Sequence, residues 1–154
     1  MTERVVWESA PDARAVWALA VAGDVLPASP EPSTEDGWRA LAARSAPLVA
    51  GADRVVANLE CPLGVAGVDP VAKAGLGSSL AGPPAATAYL AELRTAVAGM
   101  ANNHAYDFGP EGVARTRELL HLAGIAAPGS GRTSVEPPDV QLVAGPDGSR
   151  VGVW

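Results

Sequence analysis

Residues 54–62 read Arg-Val-Val-Ala-Asn-Leu-Glu-Cys-Pro. The run from Arg54 to Leu59 is short, apolar and rich in β-branched residues, and it meets Glu60, Cys61 and then Pro62, which has no N–H with which to extend a ladder. This is a buried strand that ends in polar side chains. The same arrangement occurs on either side. Val16–Val25, VWALAVAGDV, is an apolar run broken at Gly23-Asp24, and Ala96–Ala101 stops at Asn102-Asn103-His104, with Asp107 three residues further on.

Helical patterns lie between these runs. Pro27, Pro30 and Pro32 keep the chain extended up to Ser33 or Thr34, either of which can cap a helix over Glu35–Val49. Its apolar side carries Trp38, Leu41, Ala42 and Leu48, and Pro47 weakens its last turn. A second helix is expected over Pro84–Arg94. A third opens at Gly109-Pro110-Glu111 and runs through Val113, Leu119 and Leu120 to a stop at Gly124. Ile125–Ala127 reads as a brief fourth strand, while Val140–Val143 and Arg150–Trp154 flank Gly145-Pro146-Asp147-Gly148 as a hairpin. The stretch from Leu63 to Pro84 is rich in Gly, Pro and Ser and has no period, a loop of the length that is commonly functional or disordered. Strands alternating with helices predict an α/β fold with a parallel sheet, and ligands bind such sheets beyond the carboxyl ends of the strands. All three polar clusters fall at that edge.

Composition narrows the partners. The chain has 154 residues, a net charge of −6 and one lysine, Lys73, so no basic stripe is available to neutralise a run of phosphates, and nucleic acid is not expected as a partner. Its single cysteine excludes an intrachain disulfide and a thiolate-rich metal site. No apolar run approaches the ~20 residues of a membrane-spanning helix, and the first residues lack the basic and apolar regions of an export signal. A cytoplasmic location with no membrane segment is the default expectation.

The clusters Asp24, Asn58 with Glu60, and Asn102, Asn103, His104 and Asp107 offer carboxylate and amide oxygens and one imidazole. That donor set suits a hard or borderline divalent ion, Mn, Fe, Zn or Mg. Each cluster alone fits turn or capping chemistry; three successive strand ends that deliver such groups to one edge point to a site.

The segments GDV (23–25), GADRVVANLECPL (51–63) and MANNHAYDFGPEGVARTRELLHLAGI (100–125), followed by a Gly-Ser-Gly loop, resemble the CapA (PGA_cap) family of capsule and poly-γ-glutamate synthesis proteins. The resemblance spans residues 16–154 and rests most on Asn-Leu-Glu-x-Pro-Leu and Ala-Asn-Asn-His-x-x-Asp-x-Gly. It implies a metallophosphoesterase-like αββα sandwich, of which residues 16–154 form the N-terminal half behind an extension over residues 1–15. It further implies that Asp24, Asn58, Glu60 and Asn103 hold one divalent ion or a pair, that His104 and Asn103 are catalytic, and that Asn102 and Asp107 support them. The function implied is metal-dependent hydrolysis of a phosphoester, amide, ester or thioester bond in capsule-type polymer or small-molecule biosynthesis. In the family, later histidine-containing segments complete the metal site. This chain has only His104 and His121, so a second chain that supplies the missing half, or a homo-oligomer, is expected. The alternative is a non-catalytic binding or scaffold subunit with a degenerate site. A Rossmann-type dinucleotide site is disfavoured, because prolines rather than Gly-x-Gly-x-x-Gly follow the first strand.

Other chemistry-bearing residues read as structural. His121 suits a helix C-terminus, and Cys61 has no sequence partner for nucleophilic work. Lys73 reads as a solvated loop residue. Gly129-Ser130-Gly131 is a loop that can bring backbone N–H groups to an anion.

Overall fold

The structure is a computed structural model that describes residues 17–29, 32–72, 78–129 and 140–154. Three parallel strands, β1 (Leu19–Val25), β2 (Arg54–Leu59) and β3 (Thr95–Gly99), form one sheet in the order β1-β2-β3. Helices α1 (Glu35–Ser45), α2 (Thr87–Glu92) and α3 (Gly109–Leu122) follow successive strands. The expected α/β alternation is therefore present. The extension expected over residues 1–15, Lys73, and Ser130 and Gly131 of the Gly-Ser-Gly loop lie outside the described residues.

The helices form where their ends are satisfied. Thr34 caps α1 by accepting the Gly37 N–H at 3.2 Å, and Glu35 and Asp36 place negative charge in the first turn. Beyond Ser45 the chain tightens into a 3₁₀ turn over Ala46–Val49, with Pro47 inside it, and Leu48 is 81% exposed. Leu48 therefore does not belong to the apolar side of α1. Pro47 lacks the N–H that a further α-helical turn needs, and the tighter turn carries Leu48 outward. α3 ends in a Schellman motif: Gly124 has φ +73°, its N–H donates to His121, and the Ile125 N–H donates to Leu120. Leu120 and Ile125, the residues joined by the outer bond of this motif, are both buried in the core.

Alternate residues of β2, Val55, Ala57 and Leu59, are buried. Leu59 and Ala98 share one core with Trp38 of α1, Leu90 of α2 and Val113 and Leu120 of α3, so all three helices pack on one face of the sheet. Among the described residues the other face is only partly covered. Val21, level with Val56 on that face, is 78% exposed.

The fourth strand expected over Ile125–Ala127 reduces to a single parallel bridge between Val97 and Ala126, flanked by Met100 N–H to Pro128 O at 2.8 Å. Gly129 follows with φ +94°, and a Cβ there would lie 2.9 Å from the Ala101 backbone nitrogen. The chain turns against the end of β3 before a ladder can extend. Strands β4 (Gln141–Ala144) and β5 (Arg150–Val153) form the expected hairpin, an antiparallel pair separate from the parallel sheet. Trp17 ties the hairpin to the sheet by donating from Nε1 to Ser149 Oγ at 2.6 Å.

Candidate functional site at the carboxyl edge of the sheet

Asp24 and Asn58 are register partners at the ends of β1 and β2, and β3 ends level with them at Gly99. Asn58 stands at the centre. Its amide nitrogen donates to Asp24 Oδ1 at 2.8 Å and to Glu60 Oε2, and its amide oxygen accepts from Asn102 Nδ2 at 3.0 Å. Asn102 also donates to the Leu59 carbonyl at 2.8 Å, and its own oxygen accepts the His104 backbone N–H at 3.0 Å. His104 Nδ1 lies 2.8 Å from Asp107 Oδ2. Asp24, Asn58, Glu60, Asn102, His104 and Asp107, drawn from three strand ends and one turn, thus form one hydrogen-bonded chain. Asn103, between Asn102 and His104, is exposed at the start of the same turn.

The two ends of this chain differ in exposure. Asp24 is exposed and Glu60 half-buried, whereas Asp107 is fully buried and the His104 side chain is 18% exposed. The buried Asp107 carboxylate is met by donors, since Oδ2 also accepts the Leu80 backbone N–H at 2.7 Å. When an imidazole is neutral, a carboxylate on Nδ1 places the proton there and leaves Nε2 as the acceptor. Cys61, between Glu60 and Pro62, is 1% exposed, and burial pushes its thiol up to about 12, with Asp107 and Glu60 adding negative field. That thiol is no nucleophile.

Asp24 and Glu60 supply hard oxygen donors. Among the described residues, however, no group of three or more His, Cys, Asp and Glu side chains comes together around one point. His104 is turned to Asp107, and Asn58 presents its N–H₂ rather than its oxygen to the two carboxylates. Sequence reasoning found every side chain in the network but missed the Leu80 N–H, because any residue except proline carries such a donor.

The family model for bacterial capsule synthesis protein PGA_cap matches residues 18–154. The chain belongs to the PGA_cap family. The match covers all three clusters and the hairpin, so the resemblance carried by Asn58–Leu63 and Ala101–Gly109 holds over most of the chain. No curated protein matches it. Family membership associates the chain with bacterial capsule synthesis. Among the described residues, no helix is long and apolar enough to cross a membrane.

Proposed function

We propose that this PGA_cap chain is the N-terminal half of a metal-dependent hydrolase domain with a metallophosphoesterase-like αββα sandwich. It acts on a phosphoester, amide, ester or thioester bond in capsule-type polymer or small-molecule biosynthesis. The observation that supports this reading is the single hydrogen-bonded chain from Asp24 to Asp107 at the carboxyl edge of a parallel sheet. Asp24, Glu60 and Asn103 provide the oxygen share of a site for Mn, Fe, Zn or Mg, as one ion or a pair, and Asn58 holds the two carboxylates together. The nitrogen ligands come from a second chain or another copy of this one. A bound ion would supply Lewis-acid stabilisation of the reacting bond.

This chain's own contribution is positioning and proton transfer. Asp107 orients the His104 ring through Nδ1, which leaves Nε2 to exchange a proton with the leaving oxygen. Asn102 fixes the turn that carries His104, since it grips Asn58, Leu59 and the His104 backbone together. Exposed Val21 on the partly covered sheet face, with Leu142 and Trp154 on the hairpin, gives a completing half an apolar surface to cover.

The test is hydrolysis of a generic phosphodiester and a thioester with added divalent metal, by the chain alone and with a co-encoded partner. Activity in the completed protein that falls at least ~100-fold in Asp24→Ala and His104→Ala is expected. A second reading, a non-catalytic scaffold subunit, is favoured by the absence of a three-ligand cluster among the described residues. Inactivity under every pairing, with no bound metal, selects it.

A further inference from the structure

We propose that the backbone N–H of Leu80 is a positioning group for the His104 imidazole and acts through Asp107, so that the Leu80–Gly82 end of the loop before α2 is part of the site. Asp107 Oδ2 is the meeting point, with His104 Nδ1 at 2.8 Å and the Leu80 nitrogen at 2.7 Å. A carboxylate that holds an imidazole can still rotate about its own terminal torsion, which is broad and two-fold. A second donor from a fixed backbone removes that freedom.

The Leu80 N–H is fixed in turn by the return of the loop. Gly82 donates to the Pro62 carbonyl at 2.8 Å and accepts from the Gly64 N–H at 3.0 Å, which registers the loop against the residues that leave β2. Gly82 also fits where no side chain can, since a Cβ there would lie 2.8 Å from the Pro27 carbonyl oxygen. The outgoing side of the loop is tied to the same residue, with the Val71 N–H 2.9 Å from the Asp107 carbonyl. A rigid path therefore runs from the end of β2 through Gly82 and Leu80 to Asp107 and the imidazole. The inference deepens the hydrolase reading and relies on it only for the purpose of the imidazole.

The test is ¹⁵N NMR of the side-chain nitrogens of the histidines at about pH 8, where an ordinary imidazole is neutral. His104 and His121 are the only histidines, and His121→Gln assigns the signals. Leu80→Ala removes packing and keeps the N–H, whereas Leu80→Pro, or the α-hydroxy acid of leucine at position 80, removes the N–H. The α-hydroxy acid alters one backbone group and carries the test where proline prevents folding. The wild-type protein and Leu80→Ala are expected to show His104 protonated at Nδ1 and bare at Nε2, as two well-separated resonances. In the variant without the N–H these resonances converge as the tautomers interchange. An unchanged pair in that variant, equal convergence in Leu80→Ala, or a wild-type His104 protonated at Nε2 overturns the proposal. The measurement uses no substrate, so absence of hydrolase activity bears on the function and not on this result.

Discussion

Asn58 stands between two carboxylates, Asp24 and Glu60, and donates to both from one amide nitrogen. Asn58→Asp replaces those donors with a third negative charge. It is expected to destabilise the protein by about 1–3 kcal/mol at neutral pH, the cost of losing hydrogen bonds and crowding like charges. Crowding makes the carboxylates harder to ionise in the folded state, so the deficit relative to wild type shrinks as pH falls below about 4. Urea melts at pH 7 and pH 3.5 read both effects. Cys61 gives a second pH dependence. Its thiol is raised from 9.0 to about 12, with burial the main cause. The folded chain thus retains a proton that the unfolded chain releases. The stability tied to that proton is complete below about pH 9 and declines as pH rises from there towards 12. Iodoacetamide at pH 8 is expected to label Cys61 only in step with unfolding, and rapid labelling of the folded chain contradicts the assignment. At this scale the sequence was most legible, because carboxylates, amides and imidazole at strand ends advertise themselves. Their pairing was not: nothing in the sequence distinguishes Asn58 turning its nitrogen to the carboxylates from Asn58 turning its oxygen.

The ends of the helices illustrate how local chemistry decides an element. Arg94 follows α2 at φ +59°, the left-handed position that Gly124 fills after α3. Its N–H donates to the Ala91 carbonyl at 2.9 Å, as a cap requires. Arg94→Gly is expected to raise stability by up to about 1 kcal/mol, since the strain that a side chain meets there exceeds the entropy glycine costs the folded chain. A lower melting temperature for Arg94→Gly refutes this account. α3 is joined to the long loop by Thr116, which accepts the Leu63 N–H at 2.9 Å and donates to the Gly112 carbonyl at 2.7 Å, all in a buried setting. Thr116→Val keeps the shape and leaves the Leu63 N–H without its acceptor, for an expected loss of about 1–3 kcal/mol in a denaturant melt. Strands and helices were legible from periodicity and punctuation. Leu48 was misjudged because Pro47 tightens the turn that carries it, and the brief strand expected over Ile125–Ala127 is present as the bridge between Ala126 and Val97. Leu80 was invisible for a different reason, since its contribution is a backbone donor set by the return of the loop at Gly82.

The molecule as described is a parallel sheet with its helices on one face, and its other face carries exposed Val21. Parallel sheets are ordinarily covered on both faces. At the edge of this sheet Asn58 bridges Asp24 and Glu60, and the His104 imidazole is committed to Asp107. The central claim is that these residues are the oxygen share of a divalent-metal site whose nitrogen share comes from outside this chain. It is tested most directly by titrating the isolated chain with Mn²⁺, read by electron paramagnetic resonance, beside Asp24→Ala and Glu60→Ala. The account predicts weak binding, millimolar rather than micromolar, that either substitution abolishes. Tight stoichiometric binding by the isolated chain, or weak binding that survives both substitutions, contradicts it.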